Sequence, residues 1–484
     1  GVFFMKKIKR STPSKNPWID GLIDGERWHS KEPTLEIRYC FIDSQGREGE
    51  SPTRFKSYSW TKKEKNIFKE GLANIESVAN IKFKNIGTNN THGAHLKFHL
   101  TGSVTLGSRA GFAYPPERGS EDSGILAINR HFYHSDSESI IPKTGSFYGF
   151  SFLHEISHAI GLKHPHEAGK FGFPKFPGIK KGTYVGLDPG KFKQNAHPYT
   201  QMTYVTAIEG VEYSKQPRKR QYGFLKNLGS LDIAALQWLY GPNMKYNDDD
   251  TTYFLPIKNK SGTGWSTIWD TGGVDTINGR NANNSATIDL RNATLAFNNT
   301  AGGYISSIDD VMGGFTIAHD WDGKTVQSPA NMCVIENAIG GDFDDTLRGN
   351  ASNNLLIGNR GDDQLIGGRG DDTLKGGKGI DQLMGGAGAD TFILSLSSTD
   401  HIKDFSFAEG DQVKVGNTLM SDVKDVSVRS EIISGEPIKT QFLMTTTGEL
   451  IFFPNSGTSD KHQSDGQVIA TINVDSTINE RMYS

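Results

Sequence analysis

Residues 340–393 read GGDFDDTLR GNASNNLLI GNRGDDQLI GGRGDDTLK GGKGIDQLM GGAGADTFI, six consecutive nonapeptides. The first position is always Gly. The sixth is Asp345, Asn354, Asp363, Asp372, Asp381 and Asp390, and the eighth is Leu347, Leu356, Leu365, Leu374, Leu383 and Phe392. Glycines permit tight turns with exposed carbonyls. The Asp adds a hard anionic oxygen, and the apolar residue belongs on a short strand pointing inward. One nonapeptide is then half a coil, and stacked coils hold calcium between superposed loops above an apolar column. A flexible Gly-rich linker has no reason to place an apolar residue at every eighth position.

The expected ligands in these turns are Gly340, Asp342, Asp345, Gly358, Arg360, Asp363, Gly367, Gly368, Gly370, Asp372, Gly376, Gly377, Gly379, Asp381, Gly385, Gly386, Gly388 and Asp390, through carboxylates or carbonyls. The first two repeats depart from the pattern. Phe343 and Ser352 stand where Gly is usual, and Asn354 replaces Asp, so a calcium site there is expected to be weak or empty.

Upstream, the pattern changes. Residues 61–79 place Ile67, Phe68, Leu72, Ile75 and Val78 on one helical face. Short apolar strands follow at 81–86, 95–100 and 124–129, then a helix from about Phe147 to Leu162. A last helix over 231–240 ends at Gly241-Pro242. Residues 244–335 read as strands and turns, and 401–484 as a β-rich tail. The expected fold is α+β with two domains. A mixed body over 17–243 precedes a parallel β-roll over 244–400 with a β-sandwich tail, and 1–16 form a flexible tail or a processing remnant.

A chain of 484 residues exceeds one ordinary core. A net charge of −3 gives no electrostatic case for nucleic acid. No apolar run has membrane-spanning length, and G-V-F-F-M-K-K-I-K-R at the start has no apolar core of signal-peptide length. Cys40 and Cys333 are the two cysteines, and two free thiols are preferred over a disulfide.

The chemistry sits at 154–164, H-E-I-S-H-A-I-G-L-K-H. His154 and His158 lie at i and i+4, so both imidazoles leave one helix face toward one ion. Gly161 lets the chain turn, and His164 returns as a third ligand. Three neutral imidazoles leave an open position on zinc, the catalytic arrangement. Glu155, beside a ligand, reaches a water there as general base. A buried structural histidine pair is the weaker alternative.

H-E-x-x-H-x-x-G-x-x-H is the metzincin pattern. Met202, in Y-T-Q-M-T-Y, resembles the Met-turn residue, and Tyr204 matches a tyrosine that in serralysin-type and astacin-type enzymes reaches the zinc and helps hold the oxyanion. His164 is followed by Pro165, as in serralysins. A metzincin domain followed by glycine-rich calcium nonapeptides resembles the serralysin layout over nearly the whole chain. The resemblance implies an N-terminal metzincin-type zinc protease domain and a secreted endopeptidase acting on proteins and peptides. It also implies one catalytic zinc, several structural calcium ions, type I secretion, a short propeptide and a small protein inhibitor; a monomer is the default. It further implies calcium ligands at Asn247, Asp249, Thr251, Asp270, Gly272, Asp275, Glu336, Asp400 and Asp411, whose plain alternative is solvated turns. Metzincins bind extended peptide along an exposed strand; Gly124–Asn129, with Ile125, Ala127 and Asn129, stands at the expected distance, and an ordinary strand is compatible with that. The C-terminus T-I-N-E-R-M-Y-S lacks the terminal Asp-plus-apolar group of serralysin export signals, and the basic, aromatic loop 170–182 suggests a rim over the cleft or a solvated surface.

Repeats alone also allow a non-enzymatic RTX adhesin or surface protein, or a polysaccharide-modifying enzyme. Retention of Glu155 within the complete motif argues against both.

Overall fold

The computed structural model describes residues 8–43, 57–135, 138–139, 142–180, 187–205, 221–320, 333–395, 399–406, 408–415 and 418–420. In the tail it describes the backbone of strands 438–445, 450–453 and 466–474. The expectations for residues 1–7, for 181–182 of the basic loop and for the C-terminal export signal lie outside the described residues.

The N-terminal body is built on a five-stranded sheet in the order 81–88, 35–42, 96–101, 125–129, 111–113. The first four strands are parallel, and Gly111–Ala113 closes one edge antiparallel to Ile125–Asn129. The helix Lys62–Val78 opens with a capping box between Thr61 and Glu64. It buries Ile67, Phe68, Leu72, Ile75 and Val78, the face read from spacing. The motif helix, Phe147–Ala159, packs against this helix and against the strands 125–129 and 111–113. It ends three residues earlier than the spacing suggests. The cause is Gly161, whose φ of 110° suits a residue without Cβ, and a Cβ there would also stand 2.9 Å from the Glu26 carbonyl.

Residues 8–16 are not a loose tail. Ile8–Arg10 pairs antiparallel with Glu26–Trp28. Asn16 caps the turn Pro17–Asp20 and donates from Nδ2 to the Leu295 carbonyl at 2.9 Å. Trp238 Nε1 donates to the Thr12 carbonyl. The expectation of a flexible end therefore fails for these residues, because their backbone groups are already paired.

The nonapeptides form the expected roll. Strands pair in parallel with partners 18 residues apart, so one coil is two repeats. Leu347, Leu365, Leu383 and Ile402 align across one sheet. Leu356, Leu374, Phe392 and Val413 align across the other. All eight are fully buried. At roughly 2 kcal/mol for each buried large aliphatic side chain, this column is the main apolar stabilisation of the coils. Beyond Asp400 the described tail strands add antiparallel to these sheets: 450–453 joins Asp400–Ile402, and 438–445 lies between 450–453 and 466–474.

Body and roll are continuous. Phe224–Leu225 pairs in parallel with Gly264–Trp265, and one set of buried apolar side chains runs from Trp18 to Val413. Cys40 and Cys333 are free and buried, as expected. No helix among the described residues is long and apolar enough to cross a membrane.

Candidate metal centre

His154, His158 and His164 converge. The Nε2 of His164 lies 3.1 Å from that of His154 and 3.2 Å from that of His158. Nitrogens that share no second proton approach this closely when a cation belongs among them. The outer nitrogens are held in place. His154 Nδ1 donates to the Gln201 carbonyl and His158 Nδ1 to the Leu162 carbonyl, each at 2.8 Å. A carbonyl only accepts, so each Nδ1 carries the proton and each Nε2 offers its lone pair inward. The Nδ1 of His164 lies 3.0 Å from the half-exposed Glu167 carboxylate. Burial pulls His154 down to about 4 and holds His158 and His164 well below the usual imidazole range, with the neighbouring imidazoles adding to it. All three are neutral at working pH, the state in which imidazole binds metal.

Glu155 is buried beside them, and burial pushes its carboxyl up to about 8. Its neighbour is the sheet edge: a Cβ on Gly111 would stand 2.8 Å from Glu155 Cγ. Tyr204 is half exposed, with its ring centroid 4.6 Å from that of His164 and 6.1 Å from that of His154. Burial, then Glu155, pushes its hydroxyl up to about 12, so it stays a donor. Met202 is fully buried. His166 stacks on His164 at 5.0 Å with the rings 16° from parallel. His164, His166 and Glu167 also bring donor atoms within 4.8 Å of one another.

The placement of the substrate strand needs correction. Ile125, Ala127 and Asn129 are buried, and their strand is interior, paired on both sides. Asn129 Nδ2 donates to the Gly107 and Arg109 carbonyls. The open edge of this sheet, next to Glu155, is Gly111–Ala113.

Sequence reasoning missed two supports. Asp232 is fully buried in the helix Ser230–Tyr240. It accepts from Thr200 Oγ1 at 2.6 Å, from the Gly229 amide at 2.9 Å and from the Gln201 amide. It thereby fixes the turn whose Gln201 carbonyl orients His154. Its carboxyl is pushed up to about 7 by burial, against these three bonds. Lys163 is buried too; its Nζ donates to the carbonyls of Gly21 and of Pro174, the latter at 2.9 Å, and so ties the His164 loop to the N-terminal turn. Replacing Asp232 by Ala strands three buried donors at about 1–3 kcal/mol each before relaxation, so several kcal/mol of stability should be lost. Urea unfolding of Asp232→Ala measures this; a change below about 1 kcal/mol contradicts the assignment.

The roll offers a second kind of site. Asp363, Asp372, Asp381 and Asp390 each accept through Oδ1 from the amide 18 residues earlier, at 2.7 to 2.9 Å. The Oδ2 of each is buried without a hydrogen-bond partner. A Cβ on Gly358 would stand 2.1 Å from Asp363 Oδ2 and 2.6 Å from the Gly376 carbonyl, so glycine leaves an oxygen-lined space. Burial pushes these carboxyls up to about 8, 7, 6 and 6. Buried anionic oxygens with no donor fit a hard cation. Asp411 accepts from the Asp390 amide at 2.9 Å and Asp400 from the Asp381 amide at 3.4 Å, so both continue the columns. Asp404, which sequence reasoning did not select, accepts from the Gly385 and Gly386 amides. The side chains of Asp342 and Arg360 pair with each other at the surface at 3.2 Å, which leaves only their carbonyls for a cation.

The loops 247–251 and 270–275 meet. The Thr251 amide donates to Asp275 Oδ1, and a Cβ on Gly273 would touch the Asp249 carbonyl. Glu336 Oε2 accepts from the Asp275 amide at 2.8 Å. Asp275 is pushed up to about 7 and Asp270 and Glu336 are also raised, burial first. Asn247 instead donates to Tyr253 Oη, which donates to Asp270. The expected ligand atom there is the Asn247 carbonyl, which accepts from the Thr271 amide at 3.3 Å.

Known proteins resemble this chain in the repeats and along much of its length. The RTX calcium-binding nonapeptide repeat model matches residues 339–374 and 367–395. The chain is 28% identical over 360 residues to serralysin of Photorhabdus laumondii, covering 71% of this chain and 65% of that one. It is 31% identical over 293 residues to serralysin B of Dickeya chrysanthemi, covering 58% and 52%. It is 26% identical over 350 residues to metalloprotease AprA of Pseudomonas entomophila, covering 69% and 63%. The chain thus spans less than two thirds of the length of these relatives. With the repeats, they support the resemblance to serralysin-type RTX metalloproteases.

Proposed function

We propose that this chain, which resembles the serralysin-type RTX metalloproteases, is a secreted zinc endopeptidase whose fold depends on calcium. The observation that carries the reading is the convergence of the His154, His158 and His164 Nε2 atoms, with two of the outer nitrogens locked on carbonyls. These three residues would hold zinc, which supplies Lewis-acid polarisation of a carbonyl and a water acidic near neutrality. Glu155 takes the water proton and passes it to the leaving amine. The Tyr204 hydroxyl donates to the developing oxyanion. An extended peptide pairs with the edge Gly111–Ala113, which places its scissile bond beside Glu155. Residues 17–243 form the metzincin-type protease domain, 244–400 the roll and 401–484 the export-associated region. The roll holds calcium through its Asp columns. Extracellular calcium modules bind at roughly 10⁻⁴–10⁻³ M, so the roll folds after the chain leaves a low-calcium cytosol.

Casein hydrolysis should cease with o-phenanthroline and return with added zinc; hydrolysis indifferent to the chelator overturns the reading. Tyr204→Phe should lower kcat by about 10²-fold with KM little changed. An unchanged kcat removes Tyr204 from the mechanism.

A further inference from the structure

The turn column of the roll is not uniform in its hydrogen bonding. In its first two repeats every polar atom at the sixth position is satisfied by protein. Asp345 accepts from the Ala286 amide at 2.7 Å and from the Gly341 amide at 2.5 Å. Asn354 accepts from the Asn350 amide at 2.8 Å, and its Nδ2 donates to the Glu336 carbonyl at 2.9 Å and to Asn350 Oδ1 at 3.1 Å. Asn350 in turn donates from Nδ2 to the Leu290 and Ile335 carbonyls. In the next four repeats, Asp363, Asp372, Asp381 and Asp390 each keep one buried oxygen without a partner. Among the six nonapeptides, the change from satisfied to unsatisfied falls just after Asn354.

The chemistry of the substitution explains the boundary. An amide nitrogen at the sixth position is a donor aimed at two oxygens, the Glu336 carbonyl and Asn350 Oδ1. A carboxylate oxygen there would face the same two oxygens and require a cation among them. We propose that the Asn354 amide stands in for a calcium ion, so that the nonapeptide turns up to Ile357 are closed without calcium and the later ones only with it, while the upstream loops at Asp270, Asp275 and Glu336 keep a cation site of their own. This rests on the calcium reading of the later repeats. The first part is anchored on the body. Ser230 Oγ donates to the Gly302 carbonyl, Trp18 Nε1 to the Ala296 carbonyl, and Trp269 Nε1 to the Asn243 carbonyl. The later coils therefore stack on turns that are already closed. This also shortens the segment that must search for its register, since parallel pairing 18 residues away is slow to nucleate without a template.

Amide hydrogen exchange on the full chain, with calcium and with EGTA, tests the proposal. Residues 337–350 should be protected in both conditions, and 364–394 only with calcium. Loss of protection at 337–350 in EGTA overturns the proposal while the calcium reading stands. Protection of 364–394 in EGTA overturns both. Asn354→Asp should add one bound calcium per chain by metal analysis. It should also lower the calcium-free protection of 337–350 by about tenfold, the effect of one unsatisfied buried group. An unchanged calcium count with unchanged protection overturns the stand-in role. The wild-type exchange pattern decides the matter if this variant fails to fold.

Discussion

Glu155→Gln is expected to abolish casein hydrolysis while the metal remains bound. The substitution keeps the shape of the side chain and leaves His154, His158 and His164 intact, so zinc content should be unchanged. It removes the group that accepts the water proton. Loss of general-base assistance lowers rates by about 10²–10⁴-fold. The same change should not destabilise the metal-free protein. The Glu155 carboxyl is pushed up to about 8 by burial. A carboxyl with a raised folded pKa binds its proton more tightly in the folded state, so stability falls as pH rises from the unfolded value through about 8. At neutral pH the parent must take up a proton on folding or bury the charge, a cost that glutamine lacks. Metal-free Glu155→Gln should therefore melt no lower than the metal-free parent. Casein hydrolysis within tenfold of the parent at equal zinc content would sink the mechanism.

What was legible in the sequence is what local spacing encodes. The i, i+4 pair, the returning His164 after Gly161 and the eighth-position apolar column all depend on neighbours within one turn or one repeat. Asp232 was not legible, because its partners Thr200 and Gln201 lie about thirty residues away and are reached only once the last helix docks. Tyr253, which donates to Asp270, escaped for the same reason. The misplaced substrate strand teaches more. Ile125–Asn129 is I-L-A-I-N, an apolar run without alternation, and all five residues are buried. Such a run marks a strand covered on both faces inside a parallel sheet. The true edge, Gly111–Ala113, is short and half-buried and carries little sequence signal.

Residues 8–16 show the opposite error for the flexible-tail half of the expectation, whose other half was a processing remnant. Their order comes from one short strand pairing and from distant hydrogen bonds, not from a core of their own. Trp238 donates to Thr12, and Asn16 reaches Leu295, more than two hundred residues away in both cases. Termini are ordered when tied down, and single distant donors leave no periodic trace.

Calcium removal should unfold the later coils at pH 8 and do so less completely at pH 5. Burial pushes Asp363 up to about 8, Asp372 to about 7, and Asp381 and Asp390 to about 6. Each folded value lies above the ordinary carboxyl value of about 3.9. Where the folded state binds more protons than the unfolded state, stability falls as pH rises. Without calcium, then, these four groups weaken the coils progressively as pH rises from about 4 through their folded values of about 6 to 8. Lowering the pH returns a proton to each and relieves the burial of like charges stacked 18 residues apart. With calcium the sign reverses in practice, because the cation and the proton compete for the same oxygens. More calcium should be needed to fold the roll at pH 5 than at pH 8. Amide exchange over 364–394 reads this directly. In EGTA, protection should be greater at pH 5 than at pH 8, after correction for the intrinsic exchange rate. The calcium midpoint should move to higher concentration as pH falls. Equal calcium midpoints at the two pH values would mean that these carboxylates do not hold the ion. Residues 337–350, where Asn354 does not titrate and only Asp345 is raised to about 6, should show no calcium midpoint, which separates the effect from general acid destabilisation of the chain.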